Sequence, residues 1–238
     1  MIRKMKPICF IAARGGSKGV RRKNIRLFDG KPLIAHSIDS ALNSNIFSHV
    51  VVSTEDKEIA KIAKKYGAEI PFDRPKKLAY DQSSMGDVLK HGIKMLYELG
   101  YKFDYFVSRD CTAPFIRHTD IAKSINLIKK TKSDAVFAVY KQHFNPYFNM
   151  MEINKHGFLK MSKKIGKRPV SRQLAPIVFQ LNGFFTYNAK KFLKFSDPIK
   201  DPKAKFIIIP EETGWMIDTE IQFKIAEVML QKKIATIR

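Results

Sequence analysis

The hydrophobic positions of this chain fall into two alternating kinds of run. Short, nearly continuous apolar stretches at residues 7–12, 49–53, 103–108 and 134–139 predict buried strands. Between them, residues 33–41, 57–66, 84–99 and 119–130 space their apolar side chains at helical intervals. The last of these is expected to start at Thr119 as the cap, with Asp120 in the first turn. Strands separated by helices of this length predict βαβ units and a mainly parallel sheet.

The rhythm changes after Tyr140. Residues 144–158 read as short strands, with Lys155-His156-Gly157 as their turn, and residues 160–176 are polar, basic and interrupted by Pro169 and Pro176. Alternation resumes with a strand at 183–187, a helix at 189–195, a strand at 205–209 and a helix at 219–231. The expected architecture is one α/β domain over residues 1–238, in three layers, with a central sheet of about seven strands, most of them parallel. Residues 141–180 form an insertion, for which a lid and a dimer arm are both open.

Parallel sheets bind ligands at the carboxyl ends of their strands. Three chemically loaded loops leave such ends: the loop around Arg14, Ser53-Thr54-Glu55-Asp56, and Arg109-Asp110-Cys111-Thr112. They are expected to share one rim. The first, Ala13-Arg14-Gly15-Gly16-Ser17-Lys18-Gly19, lies between a strand and a helix and combines glycines with cations, as a phosphate site requires. It matches neither the Walker pattern nor Gly-x-Gly-x-x-Gly, so spacing alone leaves a phosphate cradle and a solvated turn both open.

Composition changes this picture little. The chain has 238 residues, 45% of them hydrophobic, enough for one full core. Its formal charge of +22 comes from lysines spread along the whole chain. The densest clusters, Arg21-Arg22-Lys23 and residues 160–168, are short and lack any accompanying nucleic-acid-binding pattern. That disfavours a nucleic-acid partner and fits recruitment of a small anion. No apolar run reaches membrane-spanning length, and Met1 to Lys6 lacks an apolar signal core, so no membrane association is expected. Cys9 and Cys111 suggest neither a disulfide framework nor a zinc site, and a reducing cytoplasm is the expected compartment.

The wording of the glycine loop is more specific than its spacing. Ala13 to Gly19, Arg22-Lys23-Asn24 and Gly30-Lys31-Pro32-Leu33-Ile34 resemble the opening of the CMP-sialic acid synthetase family, which includes legionaminic and pseudaminic acid enzymes. The resemblance continues through Val51 to Asp56, Ala63 to Glu69, Phe72-Asp73-Arg74-Pro75, Leu78-Ala79-Tyr80-Asp81 and Cys111-Thr112-Ala113-Pro114. It runs on through Asn145 to Met150, Arg172-Gln173, Asn182 and Ile217-Asp218-Thr219-Glu220, and so covers nearly the whole chain in order.

The resemblance implies a Rossmann-like nucleotidyltransferase that joins CTP to an anionic α-keto sugar acid, giving CMP-sugar and pyrophosphate. It assigns Arg14 and Lys18 to the phosphates as the catalytic cations. It places Ala13, Gly15, Ser17, Lys23, Asn24, Arg74 and Ser84 with them around the nucleotide. For Arg21 and Arg22 simple exposure stays open, as does plain helix capping for Ser84. Arg172, Gln173 and Asn182 match positions of the sugar-acid pocket, where an Arg fork suits a carboxylate. The family also implies a homodimer, with the insertion reaching the partner subunit.

The metal is where the chain departs from the pattern. Many relatives carry Asp-x-Asp-Thr before the last helix, both carboxylates lying near Mg²⁺, whereas this chain has Met216-Ile217-Asp218-Thr219. A thioether is a poor Mg²⁺ ligand. Asp110, at a strand end, stands where synthetases of the eight-carbon acid KDO also place a metal-binding Asp. Asp110 and Asp218 are therefore the expected Mg²⁺ ligands, with a turn role for Asp110 and an N-cap role for Asp218 left open.

A KDO-type cytidylyltransferase and a catalytically inactive nucleotide- or RNA-binding homologue are the competing readings. His36, His91 and His143 have no ligand-like spacing, Ser17 has no triad partners, and no general base stands out. Phe144, Tyr147 and Phe148 are expected in core or dimer packing.

Overall fold

The computed structural model describes residues 5–237; Met1 to Lys4 of the basic N-terminal stretch lie outside them. The chain runs β1 (Ile8–Ala12), a short hairpin of β2 (Leu27–Phe28) and β3 (Lys31–Pro32), α1 (Leu33–Asn43), β4 (Val50–Ser53), α2 (Lys57–Lys65) and α3 (Met85–Glu98). It continues with β5 (Tyr105–Arg109), α4 (His118–Thr131), β6 (Ala135–Lys141), a hairpin of β7 (Met151–Ile153) and β8 (Leu159–Met161), and β9 (Phe179–Asn188). The last elements are α5 (Ala189–Phe192), β10 (Ala204–Ile208) and α6 (Glu220–Gln231).

The main sheet has six strands in the order β10-β6-β9-β5-β1-β4. β4, β1 and β5 pair in parallel, as do β6 and β10, while β9 runs antiparallel between β5 and β6. The sheet therefore has six strands rather than about seven; the segment leading to Arg74 adds only an isolated bridge between Val51 and Glu69. With only the Glu69 backbone hydrogen-bonded to β4, nothing extends it into a ladder.

Two boundaries move for physical reasons. Thr119 is not the cap of α4. The helix starts one residue earlier, and Arg117 stands at the cap without a side-chain bond. Instead Arg117 donates to Asp120, whose buried carboxylate also takes Lys123. Asp218 is not the cap of α6 either. Thr219 caps it: the Gln222 N–H donates to Thr219 Oγ1 (3.3 Å) and the Gln222 side-chain oxygen accepts from the Thr219 N–H (3.0 Å), completing a capping box.

Alternation along the strands divides the core. Cys9 and Ile11 face α1 and α2 with Ile34, Ile38, Ile59 and Ala63. Ile8, Phe10 and Phe106 face α3, meeting Leu89, Ile93 and Leu96. Val107, Ala138 and Phe184 pack under α4. On the α3 side the cover stops short: Phe206 and Ile208 of β10 and Phe179 and Leu181 of β9 remain exposed. The β7/β8 hairpin likewise exposes Ile153 and Leu159, with Phe158 at its turn. Among the described residues no helix is long and apolar enough to cross a membrane.

The chain leaves β1 toward β4 on one side and returns to β5 on the other. The carboxyl end of β1 is therefore the point where the winding reverses, and a crevice opens there.

Candidate active site

That crevice is a cavity of about 620 Å³, bounded by the Arg14 loop, the start of α3, the end of β5 and the segment ending at Asp218. Its cationic wall is built by the loop after β1. Ala13 is fully buried, and its N–H donates to the Ser53 carbonyl (3.0 Å), so the loop leaves the sheet on a fixed line. The Gly15 N–H donates to Glu55 Oε1 (2.7 Å). Buried Asn24 braces the loop from within: its amide donates to the Arg14 carbonyl (2.9 Å), and its Oδ1 accepts from the Cys111 thiol (3.1 Å). Asn24 thus holds the loop's shape as well as lining the cavity.

Arg14, Ser17, Lys18 and Lys23 all line the cavity. Arg22 does not stay free, because Asp56 and Glu58 hold its guanidinium. Those acids keep its proton more firmly, the Asp56 hydrogen bond being the largest effect. Arg74 is buried below the cavity. Its Nε donates to Ser53 Oγ (3.1 Å), another nitrogen donates to the Ser53 carbonyl, and Glu55 lies 3.7 Å away. Burial lowers its pKa, with Glu55 opposing. Arg74 therefore ties residues 71–75 to the end of β4 while still reaching the cavity wall.

Ser84 caps α3: its hydroxyl accepts from the Asp87 N–H (3.0 Å) and donates to Asp87 Oδ2 (2.7 Å). Its neighbours Ser83 and Met85 line the cavity, while Ser84 itself does not.

The opposite wall carries the carboxylates. Asp110 follows β5, its N–H donating to the Gly183 carbonyl (2.9 Å). Gly183 has φ +80, and a Cβ there would press on Ile116, so only glycine fits that turn of β9. Asp218 comes from the far end of the chain. The Ile217 N–H donates to the Thr112 carbonyl (2.9 Å), and Lys23 Nζ donates to the Ile217 carbonyl (2.7 Å) and to Asp218 Oδ1 (2.8 Å). Three distant segments are thereby stitched into one corner, where both carboxylates line the cavity.

The electrostatics of that corner mark it. Burial pushes the Asp110 carboxyl up to about 7, with the Asp218 charge adding and Lys23 and Arg109 opposing. Two hard-oxygen ligands that repel each other suit a divalent cation. Among the described residues no group of three or more potential metal ligands is gathered, so a cation here would draw on these two carboxylates alone from the protein. The residues present fit Mg²⁺. Met216 lines the same cavity and packs its thioether against the apolar cluster under α4.

The sugar-side residues are not all gathered here. Arg172 and Gln173 lie in a short helical turn of the insertion, and neither lines this cavity. Asn182 is buried in β9, donates to the Gly214 carbonyl, and does not line the cavity either.

Two residues escaped the sequence reading. Asp81 lines the cavity and binds Arg14 (2.8 Å) and Lys18. It sits in a matching segment, but nothing in hydrophobic pattern or spacing marks it. Arg109 is fully buried behind Asp110, and its three guanidinium nitrogens have no hydrogen-bond partner. Burial lowers its pKa. Its cue was an arginine in an otherwise apolar strand.

A reversing parallel sheet, a cationic glycine loop and a carboxylate pair across one crevice define a nucleotidyltransferase. A model of the cytidylyltransferase family matches residues 8–200. The CMP-N,N'-diacetyllegionaminic acid synthase of Campylobacter jejuni is 34% identical, over 95% of this chain and 95% of that one. The pseudaminic acid cytidylyltransferase of the same species is 32% identical, over 94% of this chain and 96% of its own. Among solved structures, a CMP:2-keto-3-deoxy-manno-octonic acid synthetase complexed with CTP superposes with a TM-score of 0.70 at 16% identity, covering 96% of this chain and 99% of that one, a likeness of fold. The chain belongs to the cytidylyltransferase family.

Proposed function

We propose that this protein transfers CMP from CTP to the anomeric hydroxyl of a nine-carbon α-keto sugar acid of the sialic, legionaminic or pseudaminic type. The observation that carries the reading is the single cavity holding Arg14 and Lys18 on one wall and Asp110 and Asp218 on the other. The two Campylobacter jejuni relatives named for legionaminic and pseudaminic acids match at 34% and 32% identity, whereas the eight-carbon-acid synthetase shares 16%, which favours the nine-carbon group.

The reaction forms a bond from the anomeric oxygen to the α-phosphorus and breaks the bond from that phosphorus to the bridging oxygen of the leaving pyrophosphate. The hydroxyl proton goes to solvent. Two anions must meet, so the chain's main tasks are charge neutralisation and alignment. Arg14 and Lys18 offset the charge that gathers on the leaving pyrophosphate. Ser17 brings backbone close to the nucleotide, the Gly15 N–H anchors the loop on Glu55, Lys23 holds Asp218, and Asn24 and Arg74 fix the loops that carry these groups. Asp110 and Asp218 would hold Mg²⁺, which supplies Lewis-acid stabilisation of phosphoryl oxygens.

Arg172 and Gln173 of the insertion are the proposed sugar-acid contacts, with Asn182 supporting the adjoining backbone. Their position outside the cavity, and the exposed Phe179, Leu181, Phe206 and Ile208, support a second copy as the occupant of that face. Sedimentation is expected to give a dimer mass, and charged substitutions at Phe206 and Ile208 together are expected to yield monomer. A monomeric wild type would overturn this.

The activity is tested by pyrophosphate release from CTP and Mg²⁺ with a panel of eight- and nine-carbon keto acids. Turnover with a nine-carbon acid is expected. Release with the eight-carbon acid alone would move the assignment to the KDO class. No release with any acid, together with salt-sensitive RNA binding, would replace the enzyme reading altogether.

A further inference from the structure

Arg14 and Lys18 face the same carboxylate. Arg14 Nη1 lies 2.8 Å from Asp81 Oδ1, and Lys18 Nζ pairs with Asp81 Oδ2. Among the described residues these are the only ion pairs that either cation makes, whereas Arg22, Lys23 and Arg74 each have separate acidic partners. The Lys18 side chain is otherwise 80% exposed, so Asp81 rather than packing sets where it points.

Asp81 is presented on a built turn. The Ser83 N–H donates to the Tyr80 carbonyl (3.0 Å), and Ser83 Oγ donates to the Lys77 carbonyl (2.7 Å). The turn runs into Ser84, the cap of α3, which fixes its exit. Hydrogen bonding to Lys18, then to Arg14, holds its carboxyl below the usual carboxylate range. One carboxylate therefore occupies the two cations proposed to receive a polyanionic nucleotide tail.

We propose that Asp81 is a built-in counter-anion that exchanges with the tail of CTP and with pyrophosphate on Arg14 and Lys18. This rests on the CTP reading of the site. CTP arrival breaks both ion pairs and replaces one charge by the several charges of its phosphates, so the tail wins. When pyrophosphate forms, it no longer has the nucleoside holding it. Asp81 then recaptures the two cations and speeds its departure. The empty site keeps its cations aligned and shielded from adventitious anions. Asp81 is thus a positioning residue that acts through Arg14 and Lys18.

The test is binding of CTP, pyrophosphate and CMP by titration calorimetry to wild type, Asp81→Asn and Asp81→Ser. Removing two partly exposed ion pairs is expected to tighten CTP and pyrophosphate by about five- to tenfold and to leave CMP, which lacks the tail, unchanged. In turnover the variants should show a lower KM for CTP together with a lower kcat and stronger pyrophosphate inhibition. Asp81→Glu should restore both values toward wild type. A purely structural role would move CMP as well. Unchanged or weaker CTP binding in both variants overturns the exchange, while wild type that fails to bind CTP overturns the CTP reading itself. Asp81 is exposed and makes no other side-chain bond among the described residues, so at least one variant is expected to fold, checked by its thermal melt.

Discussion

In the Asp110→Asn protein, turnover with CTP and sugar acid is expected to fall by about 10²- to 10³-fold, the usual effect of removing a group that organises transition-state charge. Its Mg²⁺ requirement should move to much higher concentrations. The reason is the poverty of the donor set. Met216 supplies no hard oxygen, so Asp110 and Asp218 are the two carboxylates of this corner. Asn keeps the size and one oxygen but loses the charge.

Stability should move the other way. The Asp110 carboxyl is pushed up to about 7 by burial and by Asp218, far above its ordinary value of 3.8. An acid whose folded pKa is raised destabilises the fold once ionised. The penalty is absent below the unfolded pKa, grows between about pH 4 and 7, and is full above that. With metal removed by EDTA, Asp110→Asn should therefore melt higher than wild type at pH 8, and the gap should close near pH 4. Near-normal turnover with unaltered metal dependence would remove Asp110 from the site.

The second large effect is expected from a single methyl group. A Cβ on Gly19 would run into the Asp218 carbonyl oxygen, a backbone atom that cannot rotate away. That carbonyl lies beside the Ile217–Lys23 and Asp218–Lys23 bonds that join the cationic glycine loop to the carboxylate corner. Gly19→Ala must push the two walls of the cavity apart. Overpacking of this kind destabilises by about 1–3 kcal/mol. Misplacing the cations against the carboxylates should lower kcat/KM by roughly 10²-fold. Gly16→Ala is the matching control, because a Cβ there meets nothing within 4 Å. Equal kinetics for the two variants would show that the contact at Gly19 does not set the site.

Periodicity located the elements well where each strand is buried by its own neighbours. β1, β4, β5 and β6 all fall within two residues of their expected positions, because continuous apolar runs are needed to sit between two helical layers. The cap of α4 falls at Arg117 rather than Thr119 because a local i,i+3 ion pair from Arg117 to Asp120 closes the first turn in place of a hydroxyl cap. β9 was anticipated as a strand but not its direction or place. Its antiparallel insertion between β5 and β6 depends on pairing across 75–83 residues with β5 and 38–52 with β6, which no local pattern records.

The site divides in the same way. The Arg14 loop and Asp110 were legible because both follow apolar strands, and the carboxyl end of a parallel strand is where such chemistry collects. The wording of Ile217-Asp218-Thr219-Glu220 pointed to Asp218, but its meeting with Lys23, 195 residues away in sequence, is a product of folding. So are the Asp81 bridge and the unpartnered Arg109.

By itself, then, the sequence determined the strand and helix alternation, the cationic glycine loop and the rim on which chemistry would lie. Those follow from local backbone preference and apolar burial, which short stretches carry on their own. Only the tertiary structure decided which charges face each other across the crevice: Arg14 and Lys18 with Asp81, Lys23 with Asp218, and Asp218 with Asp110. Charge pairing depends on distance in space, and that distance exists only once the sheet order has closed the chain on itself.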